Sequence, residues 1–123
     1  METLKINISE EFLQFGADII VFTDLLNIQK VNYVIINQLL RSGTSAGANY
    51  EEACGAESRA DFVHKLHISY KELRETNYWL RLIWKSGKVE IEKIKPVIER
   101  SELLLNVLSK SLITSKRNSQ KVK

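Results

Sequence analysis

Chain breakers are scarce in this sequence. One proline and five glycines are spread over 123 residues, too few for the many turns of an all-β chain. A single cysteine, Cys54, excludes an internal disulfide, and the residue type favours a small buried apolar role. Long apolar runs are missing as well. Ile19-Ile20-Val21-Phe22 is four residues long, whereas a membrane-crossing helix needs about 20. Residues 1–8 have neither the basic opening nor the apolar block of a secretory signal. Together these absences predict a cytoplasmic protein of a reducing compartment that makes no use of a membrane.

A basic domain is also absent, although the isoelectric point is near 9.0. The net charge of +3 divides unevenly along the chain. Residues 114–123 carry Lys116, Arg117, Lys121 and Lys123 with no acid, so the first 113 residues sum to −1. Residues 1–29 alone sum to −4. The basic character belongs to a tail on a nearly neutral body, not to the uniformly basic face of a strong nucleic-acid binder.

What is present is apolar residues, 44% of the chain, enough for one domain with a core. Their spacing is helical throughout. Phe12, Phe15, Gly16, Ile19, Ile20 and Phe22 mark one face of a first helix over about 9–26, with Ser9 as N-cap and Glu10 and Glu11 in its first turn. Val31, Val34, Ile35 and Leu39 start a second helix over about 31–54, which either runs through the small residues Ser42 to Asn49 by packing tightly there or bends near Gly43. A third, over about 58–86, has Ser58 as N-cap and a heptad-like seam of Phe62, Leu66, Ser69, Leu73, Thr76, Leu80 and Ile83; Gly87 suits the left-handed stop. A fourth, over about 89–113, carries Ile91, Ile94, Ile98, Ser101, Leu105, Leu108 and Leu112, with Pro96 either delaying its start or kinking it. Short loops between such helices predict an all-α, antiparallel up-down-up-down four-helix bundle over residues 1–113, followed by a basic, irregular tail over 114–123.

The segment Gln38-Leu-Leu-Arg-Ser-Gly-Thr-Ser-Ala-Gly-Ala-Asn-Tyr-Glu-Glu-Ala53 resembles the bacterial four-helix-bundle family named for open reading frames in intervening sequences of 23S ribosomal RNA genes. The likeness continues through residues 56–66 and 71–80 and spans about residues 10 to 113. It implies a symmetric homopentamer of antiparallel bundles with no demonstrated enzymatic activity. It also implies kinship with a basic pentameric barrel that accompanies diversity-generating retroelements and contacts a reverse transcriptase and nucleic acid. The nearly neutral body of this chain departs from that relative.

Three groups of residues are candidates for function. Arg41, Ser42, Ser45, Asn49 and Glu52 lie in the family motif and read as polar contacts between helices or subunits. Gly43 and Gly47, four apart, permit a close approach of a neighbouring helix; the segment lacks the lysine and pattern of a phosphate loop. Lys71, Arg74, Arg81 and Lys85 form a basic stripe with Tyr78 among them, suited to phosphates and a stacked base, with Lys116 and Arg117 of the tail in support. The alternative is a solvated face with ion pairs such as Lys71 to Glu75. Trp79 and Leu82 lie outside the helix 3 seam and mark a self-association surface. His64 and His67, with Glu57 and Asp61 nearby, lack a metal-site pattern, and neither metal nor other cofactor is expected. Thr44 and Ser45 have no histidine close in sequence to activate them. The function this predicts is that of a non-enzymatic oligomeric scaffold or accessory protein; the alternative is a nucleic-acid-binding accessory module, meeting RNA, DNA or a nucleic-acid enzyme.

Overall fold

The computed structural model describes residues 7–121, and the side chains of residues 7–117. The chain forms four helices: α1 (Ile8–Ile28), α2 (Tyr33–Cys54), α3 (Arg59–Lys85) and α4 (Ile91–Lys121). Each of the first three starts at a side chain that satisfies a free backbone donor. Asn7 accepts from the Glu10 N–H at 3.2 Å, Asn32 from Val34 at 2.9 Å and Ser58 from Asp61 at 3.1 Å. The cap of α1 is therefore Asn7 and not Ser9, which lies inside the helix. In the turn after α1, Lys30 takes a left-handed φ of 58°; Gly87 does the same after α3 at 77°, where a Cβ would be strained.

The helices alternate in direction through linkers of four or five residues. α2 packs against both α1 and α3, α3 packs against α4, and α1 meets α4 only lightly. The α3 seam has the expected register: Leu66, Ser69, Leu73, Thr76, Leu80 and Ile83 are buried, while Phe62 is half-buried. On α1 the buried face is Phe12, Phe15, Ile19, Phe22 and Leu26, and Ile20 turns outward. On α2 the buried residues are Ile36, Leu39, Ser42, Gly43, Ala46 and Ala53, with Val34 outside. Along the α4 seam Ile94, Ser101, Leu108 and Leu112 are buried as expected, Ile98 is half-buried and Ile91, at the first turn, is exposed; between Ser101 and Leu108 the inward position is Leu104, with Leu105 half-buried.

Small residues set how closely α1 and α2 approach. A Cβ on Gly43 would lie 3.0 Å from Ile19 Cγ2, and one on Gly47 would lie 3.2 Å from Phe12 Cβ. The run Ser42 to Asn49 is thus continuous helix pressed against α1. Two interior glycines cost roughly 2 kcal/mol in helix propensity; close packing of fully buried Ile19 and Phe12 offsets it.

α4 departs furthest from expectation. It continues to Lys121, so residues 114–121 are helical and do not form an irregular tail. Nothing in Thr114 to Lys121 breaks a helix. The remaining tail residues, 122 and 123, lie outside the described residues, as do residues 1–6. Pro96 sits inside the helix near its start. The bond it forgoes is to the Glu92 carbonyl, and both residues are exposed, so water can take the partner's place. Among the described residues no helix is long and apolar enough to cross a membrane.

Candidate functional site

Two polar networks tie α3 to its neighbours. The first joins α2 and α3 in the core. Ser69 Oγ donates to the Ala46 carbonyl at 2.6 Å. Thr76 Oγ1 lies 2.9 Å from Ser42 Oγ and 2.8 Å from the Glu72 carbonyl. Each hydroxyl has one proton, so either Ser42 donates to a Thr76 bound to Glu72, or Thr76 donates to a Ser42 bound to Leu39. All three hydroxyl side chains belong to fully buried residues. Their small volume fits the close α2–α3 seam, and their helical carbonyl partners satisfy them without water.

At the rim of the same seam Arg41 bridges two acids. Its guanidinium contacts Glu72 at 3.0 Å and also Glu75, while its Nε donates to Gln38 at 3.1 Å. Trp79 Nε1 donates to the same Glu75 carboxylate at 3.0 Å. The Trp79 hydrogen bond, then Arg41, holds the Glu75 carboxyl below the usual carboxylate range, and Glu75 in turn raises the Arg41 pKa. The expected Lys71–Glu75 pair is not formed, because Glu75 turns toward α2 instead.

The five motif residues therefore do not act as one unit. Arg41 and Ser42 make contacts between helices. Asn49 donates to the Ser45 carbonyl and hydroxyl at 2.9 and 3.0 Å within α2. Glu52 is exposed. Thr44 Oγ1 is engaged by its own helix, donating to the Leu40 carbonyl at 2.7 Å. Cys54 is exposed and not buried: Ala53 takes the inward position at the end of α2 and Cys54 follows about 100° further round. Tyr50 is half-buried and stacked on Phe12 with centroids 5.3 Å apart; burial, then the neighbouring Cys54, push its hydroxyl up to about 12.

The second network joins α3 and α4 and was not legible in advance. Asn77 is 7% exposed. Its amide nitrogen donates to Ser101 Oγ at 2.9 Å, Ser101 donates to the Ile98 carbonyl at 2.6 Å, and the Asn77 carbonyl accepts from Arg81 Nε at 2.8 Å. The pattern held a trace of it: Asn77 adjoins the seam residue Thr76, and Ser101 is the polar member of the α4 seam.

Lys71, Arg74, Tyr78 and Arg81 come together around a cleft of about 350 Å³ with Asn77, Glu75 and Leu105 of α4. Four of the seven residues of the expected basic surface thus share one wall. Lys85 continues the stripe, its ammonium 4.5 Å from the centre of the Trp84 ring. Lys116 approaches from α4: desolvation, then the charges of Lys71, Lys116 and His64, lower the His67 pKa. Arg117 is exposed on α4. Among the described residues no group of acids, histidines and cysteine is placed to hold a metal.

Trp79 and Leu82 separate. Trp79 is half-buried, packs against the core, and meets Tyr78 edge-on at 5.2 Å. Its indole N–H bonds the Glu75 carboxylate, which also meets Arg41 of α2. Leu82 is exposed. A larger apolar surface lies elsewhere. Leu13 is 70% exposed, Val21 68% and Ile20 53%. Beside them α1 and α2 form an apolar groove of about 380 Å³, lined by Phe12, Leu13, Gly16, Ala17, Ile20, Gly47 and Ala48 and flanked by Ser9, Thr44 and Glu51. The spacing 13, 17, 20 carried this signal, since α1 has apolar residues on both sides.

These features can be set beside known proteins. No curated protein matches the chain. A crystal structure of a protein with unknown function from the S23 ribosomal protein family of Bacteroides thetaiotaomicron VPI-5482 superposes with a TM-score of 0.80. It is 38% identical and covers 85% of this chain and 97% of that one. Residues 5–110 match the family described as 23S rRNA-intervening sequence protein. The motif at residues 38–53, the four helices and this match agree, and the chain belongs to the 23S rRNA-intervening sequence protein family.

Proposed function

We propose that the chain is a non-enzymatic, homo-oligomeric scaffold or accessory protein, whose copies close into a ring and present one repeated surface to a partner. The observation that carries this reading is the apolar outer face of α1, where Leu13, Ile20 and Val21 stand in water beside the α1–α2 groove. A lone bundle gains nothing from such a face, and contiguous exposed apolar surface marks an interface. A second apolar feature, Leu82 on the outer side of α3, lies on a helix that does not pack against α1. Two unlike patches suit a head-to-tail contact, which closes into a ring, better than a two-fold contact of one patch with itself. The five-fold number comes from the family resemblance. A non-catalytic role is supported by the hydroxyls of the motif: Thr44 Oγ1 donates to the Leu40 carbonyl, Ser42 pairs with Thr76, and Ser45 Oγ accepts from the Asn49 amide, so that among the described residues none is bonded to an imidazole or carboxylate that could act as its base.

Light scattering tests the reading. The wild-type chain should give about five times the 14.2 kDa of one chain. Leu13→Glu with Ile20→Glu should give one chain, with helix content by circular dichroism unchanged, because both side chains already face water. A wild-type mass of one chain overturns the proposal.

A further inference from the structure

We propose that the α3–α4 cleft is a site for the phosphate ester and base of a nucleotide unit in a single-stranded nucleic acid, with Arg81 as its pre-oriented phosphate ligand and Tyr78 as its stacking surface. This goes beyond a scaffold, because it assigns the surface a ligand.

The cations of the cleft are available. Among the described residues neither Lys71, Arg74 nor Arg81 has a carboxylate within ion-pair distance. The one acid in the lining, Glu75, is committed to Arg41 and Trp79 on the α2 side of the helix. The cleft therefore keeps an excess of positive charge although the body of the chain is nearly neutral.

Arg81 is held from behind. Its Nε donates to Asn77, which is buried and fixed at its other end to Ser101 of α4. The terminal nitrogens of the guanidinium have no protein partner among the described residues. A guanidinium tethered through Nε presents those nitrogens as a fork suited to two oxygens of one phosphate. Part of the side-chain ordering cost is met before the ligand arrives. Around Arg81, Lys71 and Arg74 lie on the same outer face of α3, at the spacing that lets one backbone run along the helix. Tyr78, half exposed, stands between them, its position supported edge-on by Trp79 at 5.2 Å. Leu105 adds an apolar contact from α4. Aromatic stacking beside a line of cations is the chemistry of sequence-tolerant single-strand binding.

The test uses the full chain and fluorescence anisotropy with a labelled 20-nucleotide oligouridylate across a salt series. Binding at about 50 mM salt is expected. Arg74→Gln and Arg81→Gln should each lower the slope of log affinity against log salt by about 0.7, the value for one phosphate contact on a single strand. Tyr78→Ala should weaken binding about tenfold with the slope unchanged. Arg81→Lys keeps the charge and loses the tether; it should keep the slope and lose affinity several-fold. Lys93→Gln, an exposed cation in the first turn of α4, should change the slope by less. A parallel titration with uridine monophosphate separates the sources: weak binding supports the strand, and binding as tight as the oligonucleotide's overturns it in favour of a free nucleotide. No oligonucleotide binding at 50 mM salt, or variants of Arg74 and Arg81 no different from Lys93→Gln, also overturns the proposal. An unchanged light-scattering mass in every variant keeps a loss of binding distinct from a loss of assembly.

Discussion

Glycine has opposite roles at positions 16 and 43, and substituting alanine separates them. A Cβ on Gly16 would meet nothing within 4 Å, so alanine there should gain the helix-propensity difference, up to about 1 kcal/mol. A Cβ on Gly43 would meet Ile19 Cγ2 at 3.0 Å and Cγ1 at 3.1 Å. Ile19 is fully buried and stiff at χ1, so it yields poorly. Overpacking of that kind costs about 1–3 kcal/mol and exceeds the propensity gain. Urea unfolding should show Gly43→Ala less stable by about 1 kcal/mol and Gly16→Ala more stable. The second comparison belongs in the Leu13→Glu, Ile20→Glu background, where the adjoining groove no longer associates. Titration gives two further expectations. Tyr50 is held neutral by burial with its pKa raised to about 12, so its contribution is complete below pH 10 and is lost as the pH climbs toward 12. Absorbance at 295 nm should contain a component near pH 12 that is missing from Tyr50→Phe. Glu75 is shifted the other way by Trp79 and Arg41. Its contribution is present above the ordinary carboxylate range and is lost as acid protonates it, and Glu75→Gln should flatten the acid side of the stability curve.

Among the elements, α3 was the most legible and α4 the least. Two members of the α3 seam, Ser69 and Thr76, are small hydroxyls that bond across to α2 or back to their own helix, so they stay in register with the apolar members without an unsatisfied polar group. Its caps, Ser58 and Gly87, stand where sequence rules put them. In α2 the residues Ser42 to Asn49 have poor helix propensity, and only the close approach of Ile19 and Phe12 explains why they remain helical. Propensity contains no term for a neighbour that is distant in sequence. The same limit hid the Asn77–Ser101 bond, which joins residues 24 positions apart. The end of α4 failed for another reason. A charged segment without apolar spacing reads as irregular, yet nothing in it opposes helix once upstream turns are in place. Beyond Leu112 no described side chain of α4 is buried. Truncation after Ser115 should therefore lower helix content while leaving the melting temperature within about two degrees. A larger fall would mean that the last turns of α4 dock on the bundle.

For the whole molecule, the apolar surface is distributed on unlike edges, and the mass of the wild-type assembly does not distinguish which edges meet. Leu13 and Ile20 belong to the α1–α2 edge, whereas Leu82 projects near the C-terminal end of α3, outside the residues that line the α3–α4 cleft. If each subunit offers this end of α3 as a ridge to the groove of the next, a ring has one type of joint repeated, and each joint needs one intact groove and one intact ridge. The variant Leu13→Glu, Ile20→Glu then lacks a groove and keeps its ridge; Leu82→Glu lacks a ridge and keeps its groove. Each alone should run as a single chain of 14.2 kDa by light scattering. Mixed in equal amounts they should form a pair and stop there, because the pair has one good joint and two damaged ends. A two-fold contact of groove with groove predicts something else: Leu82→Glu would associate by itself, and mixing would add nothing. Trp79 is unsuited to this experiment, since its ring packs on the core and its indole N–H is bonded to Glu75, so a charge placed there would disturb the fold along with the joint.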